Sequence, residues 1–267
     1  MSAHLKKSEI VVVRTTKLGE TDAIVTGLTT DGNLIRGVVK GYRKPGSRLG
    51  GRLALFARTE VSHTPGRSLD AVSDARTVAA HAPLREDPDR MAAAAVVAAA
   101  AERLASTDVP EPRVFDLTDA ALFAIESCPE HLILATVGAF LTKIMAFFGY
   151  RPEVETCAHC GLLGCTTAAY SCDSGGFLCT DCSSESASGV VYCSDALASW
   201  VDAVLMTRFS DIGDLRMPHA AAADVLRFSK VWLEHFTGSR LKPLDFLMAG
   251  TLLNDTFSEG RGAGAPS

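Results

Sequence analysis

Five strand-like runs within the first 80 residues, helical periodicity through much of the remainder, and two Cys-x2-Cys pairs separated by eighteen residues predict an α+β chain. The expected order is a five-stranded barrel over residues 1–80, then a helical domain in two parts, 81–156 and 186–257. A four-cysteine zinc module over 157–185 is inserted between those parts, and the glycine-rich tail 258–267 is expected to be disordered.

The strands come first. Glu9 to Leu18 carries Ile10 through Val13, and Ala23 to Leu28 carries Ile24 and Val25. Asp31-Gly32 marks a tight hairpin turn, because both residue types tolerate positive φ. Leu34 to Lys40 follows, then a polar stretch through Gly51. Leu53 to Val61 and Leu69 to Val78 make two more strands, separated by Pro65-Gly66. Five short strands in so little chain suit a small closed barrel. The five-stranded barrel common in nucleic-acid binding is the OB-fold, and an SH3-like barrel is the alternative.

The net charge of −5 hides a division. Residues 1–80 hold 13 Lys and Arg against 7 Asp and Glu, or +6, which leaves −11 for the rest. Between Arg36 and Arg67 eight basic residues (Arg36, Lys40, Arg43, Lys44, Arg48, Arg52, Arg58 and Arg67) face a single acid, Glu60. Tyr42 lies among them. Cations that follow a phosphate backbone, with a ring on which a base can stack, are how single strands are held without sequence reading. The candidate nucleic-acid-binding residues are therefore Arg36, Lys40, Tyr42, Arg43, Lys44, Arg48 and Arg52. A solvated loop is the plainer reading of the same charges. No Gly-Lys-Ser/Thr completes a phosphate loop at Gly41 to Ser47.

Helices follow Pro83. Asp87-Pro88 is a capped start, leading into Met91 to Leu104 with ten consecutive alanines and valines. Val114 to Ile125 forms a second helix. Pro129 opens a third, Glu130 to Phe148, apolar nearly all round. Lys143, Thr136 and Thr142 in its interior favour a helix buried in a bundle over a membrane span. Asp195 to Met206, Pro218 to Phe236 and Leu241 to Leu253 complete the set, with Trp200 and Trp232 expected in the core. Nothing at the amino end reads as a signal peptide, since Lys6 and Lys7 precede only Ile10 to Val13 before Arg14 interrupts.

Cys157 and Cys160, then Cys179 and Cys182, form the two pairs. A two-residue gap lets both thiolates of a pair turn onto one ion, and two such pairs supply a closed tetrahedral set of four sulfurs for a structural Zn²⁺. Iron also accepts four sulfurs. Tyr170 to Phe177 reads as a hairpin between the pairs, turning at Gly175-Gly176, and Ser183 to Gly189 reads as a loop. Cys165 and Cys172 lie inside the intervening segment as candidate substitute ligands. Cys128 and Cys193 read as small buried hydrophobes, and His159 as an exposed loop residue. Unbridged pairs of this kind point to a reducing compartment, the cytoplasm. A closed site offers no position for substrate, a zinc deaminase would need an H-x-E that is absent, and no paired carboxylates or nucleophile–base set is visible.

Three patches resemble the bacterial recombination mediator family RecO: Leu18-Gly19-Glu20-Thr21-Asp22-Ala23-Ile24-Val25 after Val13-Arg14-Thr15; Lys40 to Gly50; and Gly149-Tyr150-Arg151-Pro152 with Cys157-Ala158-His159-Cys160-Gly161, Tyr170-Ser171, Gly175-Gly176 and the second pair. Gly238 to Leu247 looks like the family's closing helix, with Pro243 where serine is frequent. The resemblance covers almost the whole chain. It implies an OB-fold, a helical domain and a zinc module, and no covalent catalysis. It further implies binding of single- and double-stranded DNA, annealing of complementary strands, and action with RecR to load RecA onto DNA coated by single-strand-binding protein. A zinc-ribbon regulatory or RNA-binding protein is the alternative.

Overall fold

The computed structural model describes residues 4–105, 110–185, 189–250 and 252 of the 267-residue chain. Contacts divide the chain into two units, residues 1–127 and residues 128–267. The tail from Ser258 lies outside the described residues.

In the first unit β1 (Lys6–Leu18), β2 (Asp22–Thr29), β3 (Leu34–Val39), β4 (Arg58–Thr64) and β5 (Asp70–Ala79) close into a barrel in the order β1-β2-β3-β5-β4. β1 is long because Ile10 to Leu18 pair with β2 while Lys6 to Val11 pair with β4. A register shift between Val12 and Arg14 bends it between the two partners. β3 meets β5 in parallel at Gly37 and Asp70. This Greek-key closure is the OB barrel, and it sets aside the SH3-like alternative. Between β3 and β4 lies a short helix, α1 (Arg48–Arg52), where the sequence reads only as a polar stretch.

Ile10, Val12, Val25, Val39, Leu53 and Val61 fill the barrel. Strict alternation would place Val11 and Val13 in solvent, yet they are 0% and 5% exposed. A short α2 (Pro83–Glu86) leads to α3 (Pro88–Ala105), which packs on β1 and buries its outer face. That is why this strand is written as an unbroken apolar run. The Asp87 carboxylate accepts the N–H groups of Asp89 and Arg90, each at 2.9 Å, and starts the helix. Its alanines permit close approach to α4 (Arg113–Ser127).

Of the expected turn pair Asp31-Gly32, only Gly32 adopts positive φ, +81°. It is buried, and a Cβ there would overlap the Glu111 carbonyl. Gly32→Ala is expected to cost about 1–3 kcal/mol of unfolding free energy, because strain and overlap act together. A urea melt followed by circular dichroism checks this, and an unchanged midpoint would refute it.

Partly buried charges join the barrel to α4. Arg58 reaches Glu9 at 2.6 Å and Asp119 at 2.7 Å; His81 lies 3.6 Å from Asp119 and bonds Glu126. Burial opposes a charge on His81, but the Asp119 and Glu126 carboxylates outweigh it and raise its pKa above the ordinary imidazole value. A raised histidine stabilises fully below its unfolded pKa of about 6.5, and that share is lost as pH rises through the folded value. Asp119 works oppositely: despite burial, His81 and Arg58 hold it below the usual carboxylate range, and its share is lost only in acid. The stability difference between wild type and His81→Gln should therefore shrink as pH climbs from about 6 through neutrality, which melting curves of both proteins across that range measure. Identical pH profiles for the two proteins would overturn the assignment.

In the second unit a 3₁₀ turn (Glu130–Leu132) enters α5 (Ile133–Phe147). By length and composition this stretch could cross a bilayer, but 67% of it is buried inside the unit. α7 (Ala196–Met206) and α8 (His219–Thr237) pack against it. Its polar residues are all satisfied there. Thr136 and Thr142 donate to the carbonyls of Leu132 and Gly138, and the Thr142 hydroxyl also meets Ser229 at 3.0 Å. Lys143 donates to the Leu205 carbonyl near the end of α7, and burial moves its pKa down to about 8. Gly138 lets α5 approach Val225 of α8 closely. A final helix, α9 (Lys242–Ala249), is tied to α8 by Lys230 and Asp245 at 2.8 Å.

β6 (Thr167–Ser171), β7 (Gly176–Cys179) and β8 (Val190–Tyr192) form a second sheet in the order β7-β6-β8, with α6 (Thr180–Glu185) following β7. The hairpin turn falls at Gly175, φ +78°, as expected. β8 was not legible in the sequence, and α6 covers residues that read as part of a loop. An aromatic column fastens this sheet to α8. Tyr170 and Phe177 pack on Phe228 at 4.9 and 5.2 Å between ring centres, Phe228 stacks on Trp232 at 5.2 Å, and Trp232 and Tyr150 both meet Phe236. The Trp232 indole N–H donates to the Tyr150 carbonyl at 2.7 Å.

Candidate metal centre and candidate nucleic-acid interface

The first cysteine pair is set against β7 by Glu153. Its backbone exchanges bonds with Gly175 and Phe177, each at 3.0 Å, and its carboxylate accepts the N–H groups of Glu155 and Thr156. The chain then turns through Cys157 to Gly161, the Gly161 N–H bonding the Cys157 carbonyl at 2.8 Å with φ +74°. Cys179 ends β7 and Cys182 sits in the first turn of α6. The four Sγ atoms lie within 4.8 Å of one another, Cys160 and Cys179 at 4.0 Å. Four sulfurs around a zinc at the usual bond length stand about 3.8 Å apart, so the set fits a tetrahedral ion with little movement.

The electrostatics suit a cation. Burial raises the Cys157 thiol, but backbone N–H groups of Cys160, Cys179 and His159 outweigh it and bring it down to about 6. Cys182 is pushed up, first through its bond to Cys179. The sulfurs thus compete for ionisation, and a divalent ion removes the competition. Cys157, Cys179 and Cys182 are buried and Cys160 is exposed. Cys165 packs against the cluster without joining the ligand set, and burial, then the charges of Cys157 and Cys179, raise its thiol. Cys172 is buried apart from the set, its thiol pushed up to about 11 by burial. His159 is exposed outside the cluster; Cys128 and Cys193 are half-buried rather than buried.

On the barrel, β3 presents Arg36 outward opposite Thr26, and the chain beyond it carries Lys40, Arg43, Lys44 and Arg48 into solvent. None of these five forms an ion pair among the described residues. The Ser47 hydroxyl caps α1 by accepting the Gly50 N–H at 3.1 Å. The loop is also pinned from outside: the Asp22 carboxylate accepts the Gly41 N–H and the Thr21 carbonyl accepts the Arg43 N–H, both at 2.8 Å. The Gly41 bond, with help from Thr21, Lys40 and Lys44, holds Asp22 below the usual carboxylate range. So the β1–β2 turn fixes the basic loop by its backbone, with the Arg43 guanidinium adding a 3.4 Å bond to the Glu20 carbonyl, and leaves all five cationic side chains exposed and without an ion pair among the described residues. No local sequence pattern marks this support, which spans nineteen residues from Asp22 to Gly41.

Two candidates stand differently. Arg52 is half-buried and bonds the Ala75 carbonyl at 2.8 Å and Asp74 at 3.4 Å, which pins α1 to β5. Tyr42 is half-buried against the barrel core and donates its hydroxyl to the Leu53 carbonyl at 3.1 Å. Only the ring surface turned away from the core is available to a base. Arg58 is taken by Glu9 and Asp119, and Arg67 is exposed on the β4–β5 loop. A chain of bonds not visible in the sequence runs from the Ser8 hydroxyl to His63 at 3.0 Å and on to Asp70 at 2.6 Å, bracing that loop against β1.

Comparison with known proteins is consistent along the chain. Residues 1–81 match the family described as "Recombination protein O N terminal", and residues 85–245 match "Recombination protein O C terminal". Two curated proteins from Bifidobacterium longum, strains DJO10A and NCC 2705, each named DNA repair protein RecO, are 39% identical to this chain over 177 residues. Those residues are 66% of this chain and 73% of each relative.

Proposed function

The chain belongs to the RecO family of DNA repair and recombination proteins, and from that premise we propose that it is a non-enzymatic recombination mediator that binds single- and double-stranded DNA and anneals complementary strands. With RecR it helps load RecA onto DNA coated by single-strand-binding protein. It works in the cytoplasm, on the nucleoid, with one structural Zn²⁺ held by Cys157, Cys160, Cys179 and Cys182.

The observation that supports this reading best is the pinned loop. Arg36, Lys40, Arg43, Lys44 and Arg48 are exposed, of one sign and in no ion pair among the described residues; Arg36 lies on the β2–β3 face and Arg43 beside the β1–β2 turn, two of the surfaces on which this barrel type receives oligonucleotides. Such a surface neutralises phosphates without reading bases. Arg52 and Tyr42 contribute chiefly by holding its geometry. The acidic remainder of the chain, at −11, is assigned to protein partners.

A fluorescence annealing assay with complementary oligonucleotides, bare and coated with single-strand-binding protein, tests the proposal. Faster annealing than the spontaneous rate on both templates is expected. No acceleration on bare strands, or tight binding to structured RNA alone, would transfer the chain to the regulatory or RNA-binding alternative.

A further inference from the structure

Beside the four-cysteine centre lies a fifth thiol that the ligand set does not use. Cys165 is half-buried and packs on the cluster formed by Cys157, Leu178, Cys179 and Cys182. It follows Cys160 by five residues. Gly161 and Gly164, at φ +74° and +64°, turn the chain back between the two. Cys160 is the exposed member of the ligand set, the sulfur a small oxidant in solution reaches. Cys172 and Cys193 do not pack on this cluster.

We propose that Cys165 is the resolving thiol of a peroxide-sensitive switch at the metal centre, trapping an oxidised ligand as a disulfide and releasing the ion. The inference rests on the zinc reading given above. Peroxide delivers oxygen to the Cys160 thiolate: its O–O bond breaks, an S–O bond forms, and the departing hydroxide takes a proton to become water. The sulfenic acid is no longer a thiolate ligand. The Cys165 sulfur then attacks it, an S–S bond forms and the S–O bond breaks, and the hydroxyl leaves as a second water with the Cys165 proton. Two thiols and one hydrogen peroxide become one disulfide and two waters. Zn²⁺, left with three ligands, passes to solvent. A sulfenic acid that meets no thiol proceeds to sulfinic acid, which thiol reductants do not reverse; Cys179, 4.0 Å from Cys160, is itself a ligand, whereas Cys165 is a thiol the ion does not need.

The test uses the full chain loaded with zinc and exposed to hydrogen peroxide. Release is followed with a chromogenic zinc chelator, and cysteine states are mapped by non-reducing peptide mass spectrometry. The expected result is loss of one zinc per chain, a disulfide that contains Cys165, and recovery of zinc binding after a thiol reductant and fresh zinc. Cys165→Ser and Cys165→Ala keep all four ligands and should bind zinc before oxidation, but lose that recovery. Equal recovery in wild type and variants, or a free Cys165 thiol after release, would overturn the switch alone. A reduced chain that takes up no zinc would instead overturn the metal reading.

Discussion

Cys179→Ser is expected to abolish stoichiometric zinc and to unfold the β6–β7–β8 sheet with the residues packed on it. Structural zinc contributes on the order of 10 kcal/mol in small modules, comparable to the whole stability of an ordinary domain. Cys179 sits at the end of β7, its N–H bonded to the Cys157 sulfur at 3.4 Å, so its loss removes a ligand and a link between the two pairs. Because Phe177 packs on Phe228, the damage should spread to α8. Elemental analysis and a thermal melt read the effect. Cys172→Ser, buried but outside the ligand set, is the control and should retain its metal. A Cys179→Ser protein with wild-type metal content and melting would remove the centre from the structure's account.

Replacing Arg43 and Lys44 together with alanine is expected to weaken single-strand binding for every sequence equally. Each phosphate contact on a single strand contributes roughly 0.7 to the slope of log affinity against log salt, so losing two should flatten it by about 1.4. Both side chains project from a loop whose backbone is held by Asp22 and Thr21, and folding should be untouched. Tyr42→Ala differs, because it removes core packing and the bond to Leu53 together with any stacking. Tyr42→Phe keeps the ring and separates the two contributions. Titrations at several salt concentrations, after melting curves confirm the fold, decide the matter. Slopes equal to wild type would end the phosphate-tracking assignment and leave these residues as solubilising charge.

Much of this was legible in the residues. The barrel strands announce themselves because short apolar runs end at Gly, Asp and Pro, and the metal centre because ligand spacing is dictated by coordination geometry. α1 was hidden: Gly50 and Gly51 lower helix propensity, and beyond the local Ser47 cap the turn depends on Arg52's hold on β5, which is a long-range fact. β8 is three residues long, with Val191 and Tyr192 exposed, so no periodicity marks it. The Asp22 brace spans nineteen residues to Gly41, beyond the reach of any local pattern. Nor does an alanine-rich helix declare its partner; only the fold shows α3 lying on β1.

The aromatic column on α8 has an optical consequence. Trp232 is almost fully enclosed, stacked on Phe228, two ring contacts from the sheet that carries Cys179, whereas Trp200, the chain's other indole, is half-exposed on α7. Removing the ion with a chelator should admit water around Trp232 and red-shift its emission, while Trp200 supplies a steady background. Phe substitution of one indole at a time would assign the two bands. A red shift on chelation would make Trp232 a built-in fluorophore for occupancy of the four-cysteine site, readable in a cuvette without label or dye.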